Sequence, residues 1–334
     1  MDSLTHIVLG GCVGEAVAGK QLGKRALLLG AVAQSLPDID FVASFWLNPA
    51  NDLLAHRGFT HSFLFILLAA PLLGFVADRY IGIVRLNKWI FLFALQMFIH
   101  VFLDAFNSYG VGWFEPFSHV RVSFNTLFVA DPFLSIPLAV AFGFLVFASI
   151  KNERRMIVAR MAIVWWAIYL GYGIINKIAI DSNVRKNIVA KGIVDTAYFS
   201  TPTPLNNWLW YVVINTEQGS YVGYRSVFDS QQQIDFEFFD RSDHLLQQVS
   251  DHEDFQHLKR FSQGFYTAEQ WGDTLVFNDL RFGQMIGWKN RRGKFVFHYY
   301  LSHPDDNHLV VQRGRFTGWD AEATRSLLMR IAGN

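Results

Sequence analysis

Apolar residues run along the first half of the chain in blocks too long for ordinary core helices. Phe133 to Ile150 is 18 residues without a charge, and Met161 to Asn176 adds 16 more. A bilayer-crossing helix needs about 20 such residues, so both predict spans. Phe63 to Ala77 is uncharged over 15 residues and continues through Asp78 and Arg79 to Val84, while Trp89 to Phe106 is apolar except for Gln96, His100 and Asp104. These predict two further spans. Thr5 to Ala18 and Ala26 to Leu36, rich in Ala, Gly, Val and Leu and separated by Lys20, Lys24 and Arg25, predict a short helical hairpin in the membrane. Beyond Asn183 the pattern changes. Aromatic and β-branched runs at Trp208 to Thr216 and Tyr221 to Phe228 flank a turn-like Gln218-Gly219-Ser220, with further strands expected at Thr274 to Asn278 and Lys294 to Leu301. Asp243 to Phe261 and Asp320 to Ile331 carry helical spacing, the second opening on an Asp320 cap. The expected architecture is an all-α membrane-embedded bundle of about six elements over residues 1–182, followed by a soluble α+β domain over 183–334.

Charge gives this bundle an orientation. Lys20, Lys24 and Arg25, then Arg79, Arg85 and Lys88, then Lys151, Arg154, Arg155 and Arg160 fall on one face if the six elements alternate. Cytoplasmic loops carry the excess of Lys and Arg. The opposite face receives the loops 37–60 and 107–130 and everything after Asn176, so the C-terminal domain is expected outside the cytosol of a multi-pass bacterial inner-membrane protein. The start of the chain does not read as a signal peptide, because Asp2 and His6 stand where positive charge belongs and Glu15 interrupts the apolar stretch. Composition removes other classes. With 51% hydrophobic residues, 32 Phe and 17% charge, the chain is no disordered protein or coiled coil, and 29 Lys+Arg against 28 Asp+Glu give no basic signature for nucleic acid. One cysteine, Cys12, leaves any metal to His and carboxylate.

The alternating topology gathers His6, Asp38, Asp40, His56, His61, His100 and Asp104 at one face. His100 and Asp104, spaced i, i+4, share a side of one helix in its last two turns. An ionisable pair at that depth needs a partner: a divalent ion would satisfy both, and so would a His–Asp hydrogen bond pinning two helices. His56-Arg57-Gly58-Phe59-Thr60-His61-Ser62 puts two imidazoles across a helix start, with Thr60 a candidate cap. Leu36-Pro37-Asp38-Ile39-Asp40 ends a helix at proline and offers two carboxylates, suited to bridging metals or to one ligand and one general base. Arg57 and Arg121 are candidate phosphate clamps or contacts to lipid headgroups. Glu115 with His119 is a further i, i+4 pair, and Asp131 beside Pro132 reads as a helix cap before it reads as part of the site. His244, His252, His257, His298, His303 and His308 have no matched spacing and read as structural or surface residues.

Asp2-Ser3-Leu4-Thr5-His6, the Leu36–Asp40 segment, His56–Ser62 and His100-Val101-Phe102-Leu103-Asp104, in that order, resemble the YdjM-like family of bacterial membrane-bound, metal-dependent hydrolases over about residues 1–180. That family is similar in turn to secreted zinc-dependent phospholipases C and single-strand nucleases. The resemblance implies His6, Asp38, His56, His61, His100 and Asp104 as ligands of one to three divalent ions, zinc favoured, with Asp40 a ligand or base. The secreted enzymes also use a free N-terminal amine and a later His and Glu pair. Here Met1 precedes the first motif, and Glu115 with His119 is the only late pair. The expected activity is hydrolysis of a phosphate ester or diester in a membrane lipid or lipid-linked substrate. A metal-stabilised regulator without catalysis and an ion or metal transporter are the alternatives; the transporter lacks mid-depth polar residues in Phe133 to Ile150.

Overall fold

The computed structural model describes residues 1–249, 253–301 and 318–333 and divides into two compact units. The first comprises residues 1–43, 55–174 and 204–206, and the second 44–54, 175–203 and 207–334. Helices α1 (Ser3–Leu22), α2 (Arg25–Ser35), α3 (Pro49–Ala55), α4 (Phe63–Tyr80), α5 (Leu86–Asp104), α6 (Pro132–Phe147) and α7 (Arg154–Ala190) come first, with a 3-10 helix Leu36–Phe45 prolonging α2. Among the described residues four helical stretches are long and apolar enough to cross a membrane: Arg25–Phe45, Phe63–Tyr80, Leu86–Asp104 and Arg154–Ala190. Helix α6 is 16 residues long and ends three residues before the 18-residue apolar run does, because Ala148 already has extended backbone and starts the turn toward Arg154.

The expected hairpin is present as α1 and α2. Asp2 caps α1 by accepting the Thr5 amide at 3.0 Å, and Gly23, at φ 58°, ends it in a backbone conformation that costs glycine nothing. The two helices pack backbone to backbone. A Cβ on Gly10 would lie 2.6 Å from the Gly30 carbonyl, and one on Gly14 would overlap the Ala26 carbonyl. In lipid, where hydrocarbon surrounds the helices on all sides, such small-residue contacts replace the hydrophobic effect as the source of helix association. Polar ties add to them. Gln96 of α5 donates to the Gly10 carbonyl at 2.9 Å, and Arg155 at the start of α7 forms a buried two-point ion pair with Glu15 of α1 at 2.8 and 2.9 Å.

The segment between α5 and α6 fastens the ends of two helices. Val111 bridges Val122, the Phe124 amide donates to Ala105 at 2.6 Å, and the Phe63 amide at the head of α4 donates to Trp113 at 3.0 Å. Asp131 caps α6 by accepting the Phe133 amide, and takes a hydrogen bond from the Tyr169 hydroxyl at 2.7 Å.

In the second unit, strands β1 (Ala197–Pro202), β2 (Leu209–Asn215), β3 (Gly219–Ser226) and β4 (Phe236–Asp240) form an antiparallel sheet in chain order. After α8 (Asp243–Leu246) and α9 (Glu253–Phe261), strands β5 (Tyr266–Trp271), β6 (Thr274–Gln284) and β7 (Phe295–Tyr300) make a second sheet, and α10 (Ala321–Ile331) opens on Asp320, which accepts the Ala323 amide at 2.7 Å. Strand β2 is buried on both faces. Trp210, Val212 and Ile214 meet Ile180, Val184 and Ile188 of α7, while Tyr211 and Val213 meet Phe265, Leu280 and Phe295.

Replacing Gly14 by Val is expected to separate α1 from α2 and lower the thermal midpoint of the detergent-solubilised protein, an overpacking cost of about 1–3 kcal/mol. Gly143→Ala, where a Cβ would meet nothing within 4 Å, should leave that midpoint unchanged in the same assay.

Candidate metal centre

Helix ends bring the polar side chains of the first unit together. His100 and Asp104 occupy the last two turns of α5, and His61 closes a short 3-10 turn, Phe59–His61, just ahead of α4. Asp38 and Asp40 lie on the 3-10 helix that follows α2. With about three residues per turn, residues two apart there face different ways, and the two carboxylates separate accordingly. Asp38 Oδ1 lies 3.4 Å from His100 Nε2 and 3.6 Å from His61 Nε2, whereas Asp40 Oδ2 lies 3.3 Å from His61 Nδ1, behind the ring.

Asp38, His61, His100 and Asp104 each offer one donor atom, and the four atoms lie within 4.8 Å of one another. The outer ring nitrogens show what kind of group this is. His100 Nδ1 is 2.5 Å from the Gln34 carbonyl, which can only accept, so that nitrogen carries the hydrogen. His61 Nδ1 faces the Asp40 carboxylate and, at 3.1 Å, the Thr60 hydroxyl. Both rings therefore turn Nε2 inward, and the two Nε2 atoms are 3.1 Å apart. Two carboxylates join them, Asp104 Oδ2 at 3.5 and 3.6 Å from the two nitrogens. Four lone-pair donors around one point suit a cation, and hydrogen-bonded outer nitrogens are the usual support of metal-binding imidazoles. His61, His100 and Asp104 are fully buried, and Asp38, 28% exposed, is the member that meets the outside.

The remaining residues predicted for the site stand around this group. His6 Nε2 is 3.0 Å from Asp104 Oδ1, and its ring stacks on His100 with centroids 3.8 Å apart. The Met1 amino nitrogen also contacts Asp104 Oδ1. His56 pairs through Nδ1 with Asp40 Oδ1 at 3.3 Å. Asp40, expected as ligand or base, has its oxygens engaged by the Arg57 amide at 2.6 Å, by Thr60 and by both histidines. Thr60 does not cap α4; Ser62 does, accepting the Phe65 amide at 3.0 Å. Arg57, expected as a phosphate clamp, is buried and turned inward: Nε is 3.1 Å from Asp104 Oδ2, and Nη1 donates to Asn107 at 2.8 Å. Arg121 donates to the His56 carbonyl at 2.8 Å. Glu115 and His119 pair with each other at 2.8 Å on an exposed loop, and Asp131 serves α6 and Tyr169. Asn107 and Gln34, absent from the expected set, hold Arg57 and His100; a side-chain amide and a main-chain carbonyl carry no signature in a sequence. Among the later histidines, His257 lies 3.7 Å from Glu253 and His298 donates to the Phe295 carbonyl. His252, His303 and His308 lie outside the described residues.

A helical membrane bundle with a buried His/Asp group able to hold a metal ion is thus the class this structure defines. The family model described as YdjM inner membrane protein matches residues 1–179, and the chain belongs to that family. Inner membrane protein YbcI of Escherichia coli (strain K12) is 33% identical over 121 residues, which is 35% of this chain and 69% of the relative. Uncharacterized protein YfhP of Bacillus subtilis (strain 168) is 33% identical over 146 residues, 41% of this chain and 43% of the relative. The chain thus spans less than half the length of the second relative. No solved structure matches the chain.

The two carboxylates of the 3-10 helix should differ in a metal competition titration. Asp38→Asn removes a donor and is expected to abolish tight zinc binding, while Asp40→Asn, acting through His61, should weaken it about 10- to 100-fold. Equal losses would place Asp40 among the ligands.

Proposed function

We propose that this protein is a membrane-bound, metal-dependent hydrolase acting on a phosphate ester or diester of a lipid-like substrate. The observation that carries the reading is the pair of imidazole Nε2 atoms converging with two carboxylates. Asp38, His61, His100 and Asp104 hold the ion, and this mixed nitrogen and oxygen set favours zinc over magnesium or calcium. When bound, such an ion supplies Lewis acidity, making water a stronger nucleophile at neutral pH and offsetting charge on the phosphoryl oxygens.

The chain's own residues do the rest. The Gln34 carbonyl and the Asp40 carboxylate fix the tautomers and orientations of His100 and His61, which keeps both Nε2 atoms available without reorganisation. Asp40 is therefore a positioning residue in this arrangement. Asp38, the exposed member of the group, lies on the substrate's side. The residues next to it along the 3-10 helix, Ile39 and Phe41, are 53% and 61% exposed, and Phe59 near His61 is 45% exposed. Apolar side chains beside a charged centre suit a substrate with a phosphate head and hydrocarbon tails. Arg121 is the cation we assign to that phosphate, since Arg57 faces inward.

The distribution of basic residues supports an extracytoplasmic side for the loops carrying the centre and for the C-terminal unit. Arg155 belongs to this count with less weight than its neighbours, because its charge is spent on Glu15.

Purified protein presented with phospholipid in mixed micelles is expected to release a phosphorylated headgroup or free phosphate, and His61→Ala or Asp104→Asn should remove that turnover while the protein still accumulates in the membrane. Unchanged hydrolysis by the double variant rejects the site. The orientation has its own test: Cys12 is buried, so Ser230→Cys should be the position labelled by a membrane-impermeant maleimide in spheroplasts. Labelling only after lysis would put this unit in the cytosol.

A further inference from the structure

The second unit holds a cavity of about 210 Å³ lined by its own residues alone. Tyr224 of β3, Gln231, Gln233 and Asp235 of the segment leading to β4, and Trp288 and Arg291 of the β6–β7 connection form most of its wall. A glycine brings that connection close to β3: a Cβ on Gly287 would overlap the Tyr224 hydroxyl. Trp288 follows, and its indole Nε1 donates to Ser326 of α10 at 3.1 Å, which fixes the ring in place. The Tyr224 hydroxyl donates to Gln284 Oε1 at 3.2 Å, and Gln284 Nε2 donates in turn to the Arg291 and Gly293 carbonyls at 3.0 and 2.9 Å. These bonds hold the frame and leave other polar groups free to face a ligand.

We propose that this cavity binds a neutral sugar ring, so that the second unit recognises a glycan or a glycolipid headgroup independently of the metal centre. The state of the charged groups argues against an ionic ligand. Arg330, which also lines the cavity, grips Asp229 through Nη1 and Nη2 at 2.6 and 2.9 Å, and Nη2 reaches the Tyr224 carbonyl at 3.0 Å. Arg225, outside the lining, gives Nη1 and Nη2 to the Gln231 and Asp229 carbonyls. Arg291 pairs with Asp235 at 3.0 Å, so an anion would have to displace that carboxylate. A cation would meet the guanidiniums of Arg291 and Arg330, and hydrocarbon would strip water from polar walls. The uncharged groups match a hydroxyl-rich ligand instead. Among the described residues the side-chain amides of Gln231 and Gln233 have no hydrogen-bond partner, and each offers donors and an acceptor. Sugar hydroxyls both donate and accept, and the C–H face of the ring packs on an indole such as Trp288. The volume, below the about 300 Å³ at which sites for drug-sized ligands begin, suits a single ring.

The test is a titration of the full-length protein, in a detergent without a sugar headgroup, with glucose, galactose, N-acetylglucosamine and inorganic phosphate, followed by saturation-transfer NMR and calorimetry. At least one of the three sugars is expected to bind with a dissociation constant on the order of 1 mM, the range for a small ligand in an open site, and more tightly than phosphate. Trp288→Ala should weaken that binding about 10-fold through the lost ring contact. Gln233→Ala, whose exposed side chain holds nothing else among the described residues, should weaken it about 2- to 10-fold, the worth of one hydrogen bond. Glucosyl-diacylglycerol in bicelles separates the two sources: tighter binding than free glucose marks a lipid headgroup, equal binding a glycan, and both uphold the site. No binding of any of the three sugars, tighter binding of phosphate, or an affinity unchanged by either substitution would overturn the assignment. If Trp288→Ala does not accumulate, Gln233→Ala alone decides.

Discussion

Asp104 sits fully buried at the end of a membrane helix, and a carboxylate there must be matched by positive charge or it loses its ionised form. Much of the first unit's polar architecture is organised around that requirement. His6 arrives from α1, Arg57 from the loop before α4, His100 from the preceding turn of α5 and His61 from the head of α4, each within 3.6 Å of one of the two carboxylate oxygens. These residues are distant in the chain and each stands near the end of an element. Packing the helices and surrounding one buried carboxylate with polar partners are therefore a single problem, solved by the same contacts.

The supports of the cluster lie in the ordinary backbone. Two glycines let α1 and α2 touch, which sets α2 where its last turn meets α5. The segment after α5 returns to bond Ala105, Phe106, Phe63 and Arg57, tying the two helix ends that carry His61 and Asp104. In a medium without water these hydrogen bonds have no solvent competitor, so unsatisfied backbone groups at the helix ends would be costly. The loop satisfies them and fixes the ligand geometry together.

Much of this was legible in the sequence. Long uncharged runs announced the helices, and the order of short His and Asp motifs announced that their ends would meet, because alternation of spans puts them on one face. Other features were not legible. Helix α7 runs 14 residues past the apolar segment that ended at Asn176, since Asp181, Asn183, Arg185 and Lys186 mask the Ile180, Val184 and Ile188 stripe that β2 covers. Strands β1, β4 and β5 escaped because Ser, Thr, Glu and Asp dilute their apolar content. Within the site, spacing could not tell Asp38 from Asp40; the 3-10 turn decides which faces the lone pairs. Arg57 looked like a reach toward substrate because it lies on an expected outer loop and guanidinium pairs with phosphate in a forked geometry. The structure instead gives Arg57 a left-handed backbone, φ 58°, and an inward side chain.

The bond from His100 to the Gln34 carbonyl has a consequence for how the protein can change over time. The acceptor is a main-chain oxygen among the last four of α2, which an α-helix leaves without internal partners. No side-chain replacement at position 34 can delete it. The orientation of one imidazole is thereby insulated from ordinary mutation at the residue that sets it, and only a change in the course of the helix itself can reach it.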